Sequence, residues 1–165
     1  MPRWNSEVPT LSPHQTFWEK VLALHDARSR FLQRARLPRL RGRHLSRHYY
    51  DVAMISAHPV SGLVLDHPET LLRVRDHAQA NSWKDYSSAE PGTLALIPPH
   101  TEGTASAPPS FLAFLEEDYR QMRRFIFGDA PSFDWIVSRL ETIEATVNRT
   151  LSHERTYARD LGMSF

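Results

Sequence analysis

The sequence predicts a mainly α-helical protein, with about five helices in an irregular bundle. Apolar residues recur at spacings of three and four in five stretches of the 165-residue chain, which is the period of a helix with one buried face. Three of these stretches follow a serine or aspartate that can cap a helix. Only residues 92–98 alternate in the manner of a strand, and a single strand forms no sheet.

The first helix is predicted over residues 13–35. Ser12 can cap it, Pro13 occupies the first helical position, and Gln15 completes a capping box. A second capping box, Thr16 to Glu19, offers an alternative start one turn later. The predicted inner face consists of Phe17, Val21, Leu24, Phe31 and Leu32, with Lys20 on its edge.

The second helix is predicted over residues 44–57, after an arginine-rich connector in which Pro38 and Gly42 disfavour helix. It should stop near Pro59, because the residue before a proline avoids helical geometry. One side carries Arg43, Arg47, Tyr50, Asp51 and Met54, and the inner side carries Leu45, Tyr49, Val52, Ala53 and Ile55 or Ser56.

A short third helix and a long loop follow. Asp66 caps the helix over residues 67–80, and Glu69 completes its capping box. Prolines and glycines then argue against regular structure from residue 83 to residue 110, apart from the strand-like stretch. The inner residues of this helix are predicted to be Leu71, Leu72 and Val74.

Two more helices complete the bundle. The fourth is predicted over residues 111–127, where Gly128 stops it, and the fifth from 133 to about 151, after a cap at Asp129 or Ser132. The predicted inner residues are Phe111, Phe114 or Leu115, Tyr119, Met122 and Phe125 or Ile126 in the fourth, and Phe133, Ile136 or Val137, Leu140, Ile143 or Glu144 and Val147 in the fifth.

The chain is interpreted as one domain with short extensions. Residues 1–11 form an extended entry, residues 12–151 the helical domain and residues 152–165 a tail. The absence of cysteine excludes disulfides and thiolate metal ligands. No apolar run approaches the length of a membrane helix, and the N-terminus lacks the apolar stretch of a signal peptide. A cytoplasmic protein without membrane contact is therefore expected.

A basic run is the first candidate for function. It contains eight arginines and no acidic residue between Arg28 and Arg47, and guanidinium groups bind phosphate through paired hydrogen bonds. The alternative is a solvated linker in a chain where arginine replaces lysine, since Lys20 and Lys84 are the only lysines. Both interpretations stay open. The cationic candidates are Arg28, Arg30, Arg34, Arg36, Arg39, Arg41, Arg43 and Arg47, with His44 and His48.

A lysine and an aspartate on successive helices form the second candidate. The ammonium group of Lys20 suits a triphosphate, and the carboxylate of Asp51 can act as a general base or orient a hydroxyl. The structural alternative is a surface lysine and an Asp51 that pairs with Arg47, one helical turn away.

Two other clusters carry no functional prediction. His44 and His48 share a metal-ligating spacing but lack a glutamate between them and a third ligand nearby, so no metal site is expected. Glu116, Glu117 and Asp118 lie near the start of the fourth helix, where the helix dipole favours acidic residues.

Six short blocks form a pattern that is more specific together than any block alone. They are Thr16 to Lys20 with Leu24 and His25, Ser46 to Asp51, Gly92 to Pro98, Asp118 and Tyr119 with Met122, Phe127 and Gly128 to Phe133, and Leu140 and Glu141 to Asn148. In order and spacing these blocks resemble the C-terminal half of the AbiEii/AbiGii-type nucleotidyltransferase toxins, over about residues 8–150.

The resemblance implies a protein of a toxin–antitoxin or phage-defence system. Such proteins use a nucleoside triphosphate and magnesium to transfer nucleotides, in some members onto the 3′ end of tRNA. Lys20 corresponds to the family's lysine motif, which is expected to hold the triphosphate, and Asp51 corresponds to the aspartate of its last active-site motif. Arg47 is inferred to orient Asp51, and the expected substrate-binding residues are Arg47, Arg43, Tyr50 and His48.

The sequence also departs from the family pattern. Members begin with a mixed α/β half that carries a Gly-Ser loop and two metal-binding aspartates on a strand, and no Gly-Ser dipeptide occurs in this chain. A shortened protein that does not catalyse nucleotide transfer alone is therefore expected. Its expected partners are the missing N-terminal half, a cognate antitoxin and tRNA. The alternative function is an RNA-binding or nucleotide-binding module that uses the run from Arg28 to Arg47.

Overall fold

Five α-helices form the part of the chain that the computed structural model describes, namely residues 13–34, 44–59, 65–81, 89, 92–97 and 110–160. No strand occurs within these ranges, and the predicted mainly α-helical class is confirmed. The predicted entry over 1–11 lies outside them. The helices are α1 Pro13–Arg34, α2 Ser46–Ala57, α3 Thr70–Asn81, α4 Phe111–Met122 and α5 Phe133–Asp160, and a 3-10 turn Arg123–Phe125 extends α4.

Helix α1 packs against both α2 and α3, and α2 also contacts α4 and α5. Phe17, Val21 and Leu24 are buried, as predicted. Trp18 is buried as well, and its ring meets the ring of Phe17 edge to face with 5.0 Å between centroids. Neighbours on two sides widen the buried arc of a helix beyond a single stripe, so Trp18 is buried although the predicted stripe omits it.

For four positions the sequence predicts an inner residue only as one of two neighbours, and the structure shows which neighbour is buried. The buried residues are Ser56, Leu115, Ile136 and Ile143. Leu32 was predicted to be an inner residue, but it lies in the last turn of α1 and is 47% exposed.

Two predicted helices are shorter in the structure. Helix α3 begins at Thr70 instead of residue 67, because the preceding residues form a tighter turn in which the Thr70 N–H donates to the His67 carbonyl at 3.1 Å. Helix α4 ends at Met122, and the 3-10 turn follows. At Ile126 the backbone is extended, with φ −89° and ψ 126°.

Helix α5 is longer than predicted and ends at Asp160 instead of residue 151. The sequence contains no glycine or proline between Pro131 and Gly162, so nothing in it breaks the helix earlier. The added length contacts the 92–97 segment: Gly92 has φ +81°, and a β-carbon there would lie 2.5 Å from Ser152 Oγ. The predicted boundary between domain and tail therefore falls inside a helix.

The 92–97 segment is not a strand, and its backbone pairs with side chains instead. Asn148 of α5 accepts from Leu94 N–H at 2.9 Å and donates to the Leu94 carbonyl at 2.8 Å. Glu144, one turn earlier, accepts from Leu96 N–H at 2.6 Å and Ile97 N–H at 3.3 Å. Buried backbone groups need partners, and α5 supplies them here.

Helix α1 binds the same segment from another side. The Nδ1 atom of His25 accepts from Ala95 N–H at 3.1 Å, and Arg28 Nε donates to the Ile97 carbonyl at 2.8 Å. Because its guanidinium is used in this way, Arg28 serves the fold.

Two buried tyrosines tie loops to the helices. The Tyr49 hydroxyl donates to the Leu96 carbonyl at 3.1 Å, and the Tyr119 hydroxyl donates to the Pro131 carbonyl at 2.8 Å. Burial raises the pKa of both phenols, because the charged phenolate loses its hydration there.

Candidate functional site

A groove of about 740 Å³ lies where α1 and α2 meet the end of α4. Its volume is in the range of small-molecule binding sites. Five of the six predicted site residues line it, and the sixth, Arg43, lies outside the described residues. The five are Lys20, Arg47, His48, Tyr50 and Asp51.

A second groove of similar volume lies between the start of α1 and α3. Its lining includes His14, Gln15, Arg73 and His77. The described residues that line it include no carboxylate and no predicted site residue, so the first groove is the candidate site.

Lys20 and Asp51 form an ion pair across the contact between α1 and α2. The distance from Lys20 Nζ to Asp51 Oδ2 is 2.8 Å, and the two side chains are 23% and 25% exposed. The ion pair that the structure gives Asp51 is thus with Lys20, and Arg47 is exposed at the same groove. The roles of these residues in binding or catalysis stay predictions.

The start of α2 is fixed by a buried carboxylate of α4. Asp118 is 6% exposed and accepts from Ser46 N–H at 2.8 Å. A negative charge at this end of α2 complements the helix dipole and satisfies an N–H group that has no partner within the helix. The prediction that Asp118 interacts with the dipole of its own helix is therefore wrong, because its side chain binds the first N–H group of α2 instead.

Asp118 also fixes the imidazole of His44, which lines the groove. The other carboxylate oxygen of Asp118 lies 2.7 Å from His44 Nδ1. An ionised carboxylate only accepts hydrogen bonds, so Nδ1 must be the donor. In the neutral ring Nε2 is then left as an acceptor.

The end of α2 is fixed by a cation from α5. Arg139 Nε donates to Ser56 Oγ at 2.9 Å, and Arg139 Nη2 donates to the Ser56 carbonyl. A positive charge suits this end of a helix, where carbonyl groups lack partners. Helix α2, which carries Asp51, is thus held at both ends by charges of the correct sign.

The described arginines of the basic run have different environments in the structure. Arg28 binds the 92–97 backbone, and Arg30 pairs with Asp26 one helical turn away at 2.8 Å. Arg47 is exposed at the groove. The central members of the run, Arg36, Arg39, Arg41 and Arg43, lie outside the described residues.

The described residues do not fit a magnesium site. No group of three or more His, Cys, Asp or Glu side chains among them is arranged to hold a metal ion, and the groove carboxylate of Asp51 is paired with Lys20. Magnesium prefers several oxygen ligands in octahedral geometry.

The described part of the chain is thus a helical bundle with a groove that contains Lys20, Arg47 and Asp51. A family model described as "Nucleotidyl transferase AbiEii toxin, Type IV TA system" matches residues 2–139. The chain belongs to this AbiEii nucleotidyltransferase toxin family, and the predicted resemblance to the family is confirmed; five of the six blocks lie within the matched residues. No curated protein and no solved structure matches the chain. Among the described residues, no helix has the length and apolar character needed to cross a membrane.

Several residues that line the groove or support it lie outside the predicted set of site residues. Asp118 could have been found from its place in the fourth block, but nothing in the sequence pairs it with Ser46. His44 was considered only as a phosphate contact or metal ligand. Phe125 and Phe127 line the groove, whereas Phe125 was considered as an inner residue and is 66% exposed.

Proposed function

We propose that the groove is the triphosphate-contacting half of a nucleotidyltransferase active site. One observation carries the proposal: Lys20 and Asp51, which correspond to two motifs of the family, form a 2.8 Å ion pair in a groove lined by the other predicted contacts. Nucleotidyltransferases in general use a nucleoside triphosphate and a divalent metal.

On this proposal Lys20 exchanges partners when the ligand binds. Its ammonium group turns from Asp51 to the triphosphate, and the guanidinium of Arg47 contacts a second phosphate oxygen. Asp51 is then free to accept a hydrogen bond from the attacking hydroxyl of the acceptor and to take its proton, while that oxygen bonds to the α-phosphorus and the bond from the α-phosphorus to pyrophosphate breaks. The ion pair holds the carboxylate in place before the ligand arrives.

The metal-binding carboxylates belong, on this proposal, to the α/β half that the family pattern places before the helical half. The unsuitability of the described residues for magnesium supports this division. Residues 1–165 then bind the nucleotide but need that half for transfer. A tRNA acceptor and a cognate antitoxin are part of the same proposal, since the family is one of toxin–antitoxin systems.

Calorimetric titration with ATP in magnesium-free buffer tests the binding half of the proposal. We expect Lys20→Met to weaken binding at least tenfold, because a charge-assisted contact to phosphate contributes roughly 1.5–3 kcal/mol. Arg30→Met is the matched control, since Arg30 is a half-exposed cation of the same helix that pairs with Asp26. Equal affinity in wild type and Lys20→Met overturns the proposal.

Incubation with labelled nucleoside triphosphates, magnesium and tRNA tests the catalytic half. Residues 1–165 alone should transfer no label. Label transfer that Lys20→Ala abolishes would show a complete active site in this chain and overturn the proposed division.

A second candidate function is RNA binding without nucleotide transfer. The exposure of Arg47 at the groove favours it. Filter binding with tRNA at rising salt separates the two candidates, because contacts to several phosphates give a steep loss of affinity with salt. No retention at low salt removes this second candidate.

A further inference from the structure

The segment after α4 presents two phenylalanine rings to solvent. Residue Ile126 has extended backbone geometry and packs against the core, and successive side chains of an extended backbone point to opposite sides. Its neighbours Phe125 and Phe127 accordingly face outward and are 66% and 101% exposed. Large apolar side chains with such exposure often mark a binding surface.

The surroundings of Phe125 make this a built aromatic surface. The His44 ring lies 6.1 Å from the Phe125 ring, and the Arg124 guanidinium carbon lies 5.6 Å from the Phe125 centroid. His44 is itself fixed by the buried carboxylate of Asp118. The Phe125 ring therefore has a defined support, although its face is open.

Both phenylalanines line the groove that also contains Lys20 and Arg47. A ligand that fits such a lining carries negative charge at one part and a flat apolar group at another. Nucleotides have both, and each of the bases can stack on an aromatic ring.

We infer that Phe125 and Phe127 form a stacking surface for a nucleobase of the ligand whose phosphates contact Lys20 and Arg47. The inference rests on the proposed function and names the part of the groove that takes the base. The base belongs to the nucleoside triphosphate or to a single-stranded RNA end, and the surface accepts any of the four bases because it offers no hydrogen-bond code.

Three probes measured by calorimetry in magnesium-free buffer test the inference: ATP, inorganic tripolyphosphate and a short single-stranded oligoadenylate. We expect Phe127→Leu, which keeps an apolar side chain without a ring, to weaken ATP or oligoadenylate binding by roughly 5- to 100-fold. Tripolyphosphate binding should not change, because it has no base. Phe127→Trp should keep the affinity for all three probes.

Trp135→Leu is the matched control, since Trp135 is a 39% exposed aromatic of α5 that does not line the groove. It should leave all three affinities unchanged. A thermal melt of each variant checks folding, and the exposure of Phe127 makes a folding defect unexpected.

The outcomes distinguish failure of the stacking inference from failure of the proposed function. A loss of affinity confined to ATP assigns the base to the nucleoside triphosphate, and a loss confined to oligoadenylate assigns it to RNA; both support the inference.

Unchanged affinity of Phe127→Leu for ATP and oligoadenylate overturns the inference, even where Lys20→Met weakens tripolyphosphate binding and the proposed function stands. A change of oligomeric mass in Phe127→Leu without a change in ligand affinity also overturns it, because the rings then bind protein. If Lys20→Met binds tripolyphosphate as wild type does, the proposed function fails, and the inference fails with it.

Discussion

Helices α1 and α2 contribute polar side chains to two regions that use them differently. In the first region, the segment-binding cluster, His25, Arg28, Tyr49, Glu144 and Asn148 bind the backbone of residues 92–97. In the second, the groove cluster of Lys20, His44, Arg47 and Asp51, Lys20 pairs with Asp51 and His44 pairs with Asp118, and all four residues line an open groove. The first cluster satisfies backbone groups of a loop, whereas the second lines the groove to which a ligand is proposed to bind.

The six blocks of the family pattern contain residues of both clusters. Leu24 with His25, the Gly92 block and the block ending at Asn148 meet in the segment-binding cluster. The Lys20 block and the Ser46 to Asp51 block meet in the groove. The predicted pattern thus contains residues that support the fold and residues of the proposed site, and substitutions should separate the two groups.

The largest effect is expected at Asn148. Asn148→Ala leaves the N–H and the carbonyl of Leu94 buried without partners, which should lower the free energy of unfolding by about 3 kcal/mol. Chemical denaturation measures it. Thr142→Ala, on the exposed face of the same helix, should change stability by less than about 0.5 kcal/mol. Similar values for both variants would show that the 92–97 segment contributes little to stability.

The next largest effect is expected at Asp118. Asp118→Ala removes the acceptor for Ser46 N–H at the start of α2, so stability should fall by about 2 kcal/mol. Glu116→Ala, an exposed acid of the same helix, is the control and should be nearly neutral. An equal loss in the two variants would mean that charge on α4, and not the contact with Ser46, is responsible.

Asp118→Asn should change the tautomer of the neutral His44 ring while leaving the stability of the protein nearly unchanged. The amide oxygen can still accept from Ser46 N–H, while its NH₂ group donates to His44 Nδ1 and forces the proton of the neutral ring to Nε2. Stability should change by less than about 1 kcal/mol, and the ¹⁵N shifts of the His44 ring should exchange their pattern. Unchanged ring shifts would contradict the assigned direction of the hydrogen bond.

A smaller effect, with a definite dependence on pH, is expected at Tyr49. Above a pH of about 10 the unfolded chain loses the tyrosine proton, while burial raises the pKa of Tyr49 in the folded state. The folded state then binds more protons, so its stability falls as pH rises. Tyr49→Phe should cost about 1 kcal/mol at pH 7 through the lost hydrogen bond to Leu96, and stability should fall less steeply above pH 10. An unchanged slope would place the alkaline loss elsewhere.

The sequence predicts local elements well, because helical periodicity and caps are local properties. Helix α1 has the predicted start at Pro13, and the Ser132 hydroxyl accepts from Trp135 N–H at 3.2 Å, as one of two predicted caps. The helical side that carries Arg47 and Asp51 also follows from spacing, and it faces the groove.

Partners between distant elements could not be predicted in the same way. The contact of Asp118 with Ser46 joins α4 to α2, and Arg139 reaches Ser56 from α5. Such pairs depend on how helices pack, which a single sequence does not encode by spacing. The exposure of Phe125 is missed because the prediction continues α-helical periodicity past Met122, where a 3-10 turn with a different period replaces the α-helix.

The smallest change in stability is expected for the Lys20–Asp51 pair, although the proposed function makes it the most important for ligand binding. A double-mutant cycle of Lys20→Met and Asp51→Asn measures the coupling by denaturation. Because each side chain is about a quarter exposed, water screens the attraction, and the coupling should be about 0.5–1 kcal/mol. Tripolyphosphate at saturation should reduce it toward zero, since the proposal has Lys20 leave Asp51 for phosphate. Coupling that survives saturation would indicate an ion pair that stabilises the fold, and the groove cluster would then resemble the segment-binding cluster.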